Sequence, residues 1–161
     1  VRMNKSELIE LLKNYKENKA KLNIKLKELK TERIKLKYVN DTETRMTATY
    51  GTNQDIHSKN QISDKVSRRI EENDIKRLEI EKRIETLEEE VRKLREKVES
   101  VDDRLEGLKF KEKEILVAYY VEGMTAEDIG NRLYLKLFNQ TRSDRHIQRI
   151  IEKATEKMIK F

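Results

Sequence analysis

The strongest constraint in this chain is an apolar seam. Ile80, Ile84, Leu87, Val91, Leu94, Val98, Val101, Leu105 and Leu108 follow one another at alternating steps of four and three residues. A step averaging 3.5 residues keeps one narrow stripe turned toward a partner helix, so the run specifies a left-handed coiled coil. The seam reads back less regularly through Ile75, Ile70, Val66 and Ile62. An earlier segment, Lys5 to Val39, has a companion stripe. There Leu8, Tyr15, Leu22, Leu29 and Leu36 recur every seven residues, with Leu12 and Leu26 at the alternate position. Lys19 and Arg33 occupy that alternate position as well, which makes the first seam imperfect.

Composition allows little else. Apolar residues make up 35% of the 161 residues and charged residues 42%, too lean a mixture for one large core but suited to helices that each bury a stripe. There is no Pro to break a helix and no Cys to build a disulfide framework or a thiolate metal site. The lack of Cys fits a reducing, intracellular compartment. The opening "VRMNKSELIELLKN" has no signal-peptide pattern, and no apolar run approaches the ~20 residues of a membrane span. The expectation is an all-α protein of the cytoplasm.

Between the seams, residues 40–64 read "NDTETRMTATYGTNQDIHSKNQISD", polar and Thr-rich, with no helical period. They are expected to form a tip loop, with a small β-ribbon around Gly51 as a minor option. Net charge is +7 over residues 1–39, −4 over 40–108 and +3 over 109–161. Opposite charge favours folding the first segment antiparallel onto the second, giving a coiled-coil helical hairpin over residues 1–108. Pairing of a seam with a second copy, in a homodimer, satisfies the same pattern.

From residue 109 the pattern changes. A helix is expected over about Lys111 to Glu122, closed by Gly123 in the left-handed conformation. Thr125 then stands as an N-cap with Asp128 three residues on, and the helix it starts turns Ile129 and Leu133 inward. Another start signal falls at Thr141 or Ser143. The last helix presents Ile147, Ile150, Ile151, Ala154 and Met158 on one side, and Arg145, His146, Gln148, Arg149 and Lys153 on the other. Three short helices with a basic outer face on the last describe a helix-turn-helix domain over 109–161, whose final helix enters the DNA major groove. Arg145 and Arg149 can pair with guanine or neutralise phosphate. An ordinary helix with solvated charges is the bland alternative for these residues.

The run "KEKEILVAYYVEGMTAEDIGNRL" followed by "TRSDRHIQRIIEKATEKM" resembles the fourth-region helix-turn-helix of bacterial sigma factors and the related domains of phage late-gene transcription regulators. The resemblance rests on Lys113, Glu114, Ile115 and Leu116, then Tyr120, Gly123, Met124 and Thr125, then Glu127, Asp128 and Ile129, and finally Ser143, Ile147 and Ala154. It covers about a third of the chain. It implies that the helix after the serine reads promoter DNA, through Ser143, Arg145, His146 and Arg149, and that the domain can contact RNA polymerase. The double-stranded DNA contacts expected on both grounds are Thr141, Arg142, Ser143, Arg145, His146, Gln148, Arg149 and Lys153. It also implies a bacterial or phage-infected cell. In this chain Ser143 lies fourteen residues beyond Ile129, a longer spacing than the family's. The extra "LYLKLFNQT" either lengthens the second helix or enlarges the turn.

His57 and His146 are the only histidines, and neither has a partner at metal-ligand spacing. The carboxylates of the second coil segment sit at outer positions, and the four glycines are scattered, so no acid–base pair and no phosphate cradle is legible. No cofactor, no metal and no enzymatic activity are expected. The functional expectation is a sequence-specific transcription regulator of phage origin. A small-terminase-like packaging protein and a non-enzymatic coiled-coil adaptor are the alternatives.

Overall fold

A computed structural model describes residues 4–50 and 59–161, the side chains of 43–50 and 59–66 excepted. Among the described residues the chain is all-helical, with no strand. Two long helices, α1 (Lys5–Tyr50) and α2 (Lys59–Glu106), pack against each other as an antiparallel pair. Then come α3 (Phe110–Leu116), a π-helical turn (Val117–Val121), α4 (Ala126–Asp128), a second π-helical turn (Ile129–Leu133), α5 (Tyr134–Phe138) and α6 (Asp144–Lys160).

The helices overrun the expected loop. Residues 40–50 complete α1 and residues 59–64 begin α2, so most of the 40–64 segment is helical. Met46 to Tyr50, expected to lead into a ribbon, are also part of α1, while Gly51 lies outside the described residues. The reason is cooperativity. Extending a formed helix adds a hydrogen bond per residue without a new nucleus, and before Gly51 the chain holds neither Gly nor Pro to stop it.

Contacts divide the chain into two compact units, Asn23–Arg92 and Val1–Leu22 with Lys93–Phe161. In the first unit, Leu29, Leu87 and Val91 are buried between the helices. The α1 seam differs from the expected one. Asn18, Lys25 and Glu32 turn half inward, while Lys19 and Arg33 are exposed. In α2 the four-three phase continues back through Arg77 and Asn73, both half-buried, leaving Ile75 and Ile70 at the surface. Val66 and Ile62 lie outside the described side chains. Once a coil has set its phase, position along the helix decides burial more strongly than residue type. Lys25 Nζ accordingly sits 3.0 Å from Glu90 Oε2 and 3.2 Å from Glu28 Oε2. Arg33 Nη2 lies 2.7 Å from Glu88 Oε1.

The second unit has two adjoining cores. In one, Leu8 and Leu12 of α1 meet Val101, Leu105 and Leu108, together with Leu116, Ala154 and Met158 of the C-terminal helices. Ala154 has no exposed surface, and neither do the four larger side chains Leu8, Leu12, Leu116 and Met158. Each of these larger side chains is worth about 1.5–3 kcal/mol of burial. Tyr15 donates its hydroxyl hydrogen to Asp102 Oδ1 at 2.6 Å. The other core joins Ile115, Ala118, Ala126, Ile129, Tyr134, Ile147 and Ile151. Tyr120 packs against both. The adjacent Tyr119, by contrast, is exposed, and meets the Tyr120 ring edge-on at 4.9 Å. Arg104 fastens the end of α6 by donating from Nε to the Met158 carbonyl at 3.2 Å, a cation on a helix C-terminus.

Candidate nucleic-acid interface

The turn before the second helix is built as its residues dictate. The π-helical turn ends at Val121, and Gly123 follows at φ 71°, a conformation that only glycine adopts cheaply. The Met124 N–H then returns to the Ala118 carbonyl at 2.9 Å. Thr125 caps the next helix: its Oγ1 accepts from the Asp128 N–H at 3.1 Å and donates to Asp128 Oδ2 at 2.9 Å. Asp128 thus closes the box on the hydroxyl itself, its shorter side chain taking the place of the usual glutamate.

The extra "LYLKLFNQT" lengthens the helix. From Ala126 the helical path continues through the π turn Ile129–Leu133 and α5 to Phe138. Asn139 ends it at φ 53°, left-handed. The short return to α6 then crosses the helix at Gly130. The Arg142 N–H donates to the Gly130 carbonyl at 3.1 Å. A Cβ on Gly130 would collide with the Arg142 carbonyl oxygen. Glycine is required here for close backbone approach, and this crossing sets where α6 begins.

Of the two start signals, Ser143 occupies the N-cap position of α6. Its side chain makes no cap bond; instead Asp144 Oδ1 accepts from the Arg145 N–H at 2.7 Å. Ile147, Ile151, Ala154, Thr155 and Met158 are buried, and the Thr155 hydroxyl donates to the Ile151 carbonyl at 2.7 Å. Helical spacing puts Arg145, Arg149 and Lys153 in one exposed row, with Gln148 and Glu152 in the row beside it. Thr141, Arg142 and Ser143 are exposed in the return segment, and His146 is half-buried. The eight expected contact residues are therefore contiguous, within the return and the first turns of α6.

One residue was not legible in advance. Lys111, near the start of α3, lies 4.6 Å above the Tyr134 ring and 5.5 Å from that of Phe138. The Arg142 guanidinium is 5.8 Å from the same Tyr134 ring. Burial pushes the Tyr134 hydroxyl up, but Lys111 and Arg142 outweigh it and hold the group below its ordinary value. A lysine thirty residues upstream gives no local signal; only the packing of Tyr134 against α3 brings it here.

These cations converge on His146. Its imidazole is held below the ordinary range first by desolvation, then by Arg142, Lys111, Arg149 and Lys153. Among the described residues no carboxylate pairs with Lys111, Arg142, Arg145, Arg149 or Lys153. Nor does any group of three or more His, Asp or Glu there have the placement to hold a metal ion. No described helix is long and apolar enough to cross a membrane. Comparisons with protein-family models, curated proteins and solved structures find no match to this chain.

Proposed function

We propose that this protein is a sequence-specific DNA-binding transcription regulator of phage type, with α6 as the helix that enters the major groove. The observation that carries the reading is the exposed row Arg145, Arg149 and Lys153, continued by Arg142 and Lys111 and without carboxylate partners. Uncompensated charge of one sign is held at a cost in repulsion; at His146 desolvation lowers the basicity first, and the neighbouring cations lower it further. A polyanion relieves that cost. Arg145 and Arg149, nearest the start of α6, are the base-reading candidates; Lys111, Arg142 and Lys153 supply phosphate contacts. RNA polymerase is the second partner in this reading, and it rests on the sigma-factor resemblance alone.

Selection of bound sequences from random DNA, followed by salt titration of the best site, tests this. Arg149→Ala and Arg145→Ala are each expected to weaken specific binding by about 1–3 kcal/mol and relax the selected sequence. Lys111→Ala should weaken all duplexes alike and lower the salt slope by roughly one. No enrichment and no binding at low salt would refute the proposal.

A further inference from the structure

The coil unit Asn23–Arg92 carries large apolar side chains that its own seam leaves outside. On α1, Ile24, Ile34 and Tyr38 are 56%, 60% and 74% exposed, and with Lys27 and Thr31 they follow a second three-four spacing. Ile34 and Tyr38 lie on the face opposite Leu36, while Ile24, Lys27 and Thr31 also edge a groove beside Arg83 and Leu87 of α2. On α2, Ile75 and Leu78 are 57% and 61% exposed, one turn apart, on the face opposite Leu87. A helix with two opposed heptad stripes is built to pack against two neighbours, and here each helix has only one.

The charges beside the two patches have opposite sign. Lys27, Lys30 and Lys37 accompany the α1 row, and Ile34 also walls a shallow groove lined by Leu26, Leu29, Lys30, Arg33 and Lys37. Glu71, Glu79, Glu81 and Glu85 surround Ile75 and Leu78. Among the described residues none of these three lysines and four glutamates takes part in an ion pair, although their neighbours do. The patches also share a level along the coil. The pairs Lys25–Glu90, Glu28–Arg83 and Arg33–Glu88 fix the antiparallel register. Extending it by about one turn sets Tyr38 level with Leu78.

We propose that the outer face of α1 docks on the outer face of α2 in a second copy of this chain. Ile34 and Tyr38 meet Ile75 and Leu78, and Lys30 and Lys37 meet Glu81 and Glu85. A copy placed alongside needs no shift along the coil axis to make this contact. Because the two faces differ and lie on opposite sides of the unit, the interface is heterologous, so assembly closes into a ring or runs on as an array. The inference is independent of the DNA reading.

Two double variants of the full chain test it by mass measurement across a concentration series, with helicity checked by circular dichroism. Wild type is expected to assemble beyond a dimer. Ile34→Glu with Tyr38→Glu blocks one face, and Ile75→Lys with Leu78→Lys blocks the other. Each alone should be monomeric, with association weakened about tenfold or more. Mixed, the two should form a one-to-one complex and nothing larger, because each retains the face the other lacks. A wild type that stays monomeric overturns the proposal. So does either double variant assembling by itself, or a mixture that does not pair. A milder pair, Lys30→Glu with Lys37→Glu, should weaken assembly and be restored by Glu81→Lys with Glu85→Lys in the partner copy; absence of that rescue counts against the charge pairing.

Discussion

The two units use the same residue types in different ways. In the coil unit, Lys25, Arg33, Lys35 and Arg83 each face a carboxylate, and polar side chains are tolerated in the seam. In the unit that holds the C-terminal helices the core is apolar, and although Lys157 of α6 pairs with Glu112, no carboxylate among the described residues pairs with Lys111, Arg142, Arg145, Arg149 or Lys153. Charge in the coil seam pairs within the chain. Charge along the exposed row of α6 has no such pairing. Net charge alone would not separate these uses; the difference lies in whether a carboxylate is within reach.

The contrast in packing has the largest expected effect. Leu12 is fully buried in a core shared by helices from both ends of the chain, whereas Leu29 is covered only by the coil seam. Leu12→Ala should cost about 3–5 kcal/mol and Leu29→Ala about half that or less, measured by urea unfolding at two wavelengths. Equal losses would show that the two units pack alike.

Gly130→Ala comes next. A methyl group cannot share space with the Arg142 carbonyl, so the return segment must shift and carry the start of α6 with it. A loss of about 2–3 kcal/mol is expected, with DNA binding lost beyond what instability explains. Gly123→Ala is the control. It meets no atom within 4 Å but stands at φ 71°, and should cost about 1 kcal/mol and leave the docking of α6 intact.

Exchanging charges separates the units most directly. Lys25→Leu combined with Glu90→Leu should leave the thermal midpoint unchanged or higher, because apolar pairs replace seam ion pairs without loss. Arg145→Ala combined with Arg149→Ala should also leave the midpoint unchanged but abolish specific DNA binding. If the arginine pair instead lowers the midpoint, those side chains have a structural role that the open geometry does not provide.

The smallest effect concerns pH. His146 has a folded-state value below the ordinary 6.5, through desolvation and then Arg142, Lys111, Arg149 and Lys153. Its contribution to stability is therefore complete above that value and declines as pH falls through the lower folded one. Bound phosphate reverses the local field and favours the imidazolium, so binding takes up a proton. DNA affinity should rise about two- to fivefold between pH 7.5 and 6, and His146→Gln should flatten the profile.

How much of this was legible in the chain follows from range. The four-three spacing from Ile80 to Leu108, the Gly123 stop, the Thr125 cap and the buried face of α6 all depend on neighbours within one or two turns, and the structure has each of them. The polar stretch after Val39 was misread because composition reports the face a helix lacks, not whether a helix already under way will stop. The seam position of Lys25 over Leu26 was also hidden, since coil phase is set jointly by both helices.

By itself, then, the sequence determined the all-helical class, the Gly123 stop, the Thr125 cap and the cationic side of the last helix, because hydrogen bonding and amphipathic period are local properties. Only the tertiary structure decided that Leu8 and Leu12 share a core with Met158, that Gly130 carries the crossing of Arg142, and that Lys111 joins the α6 cations. Those relations join residues far apart along the chain, and what fixes them is the close packing of side chains from several helices.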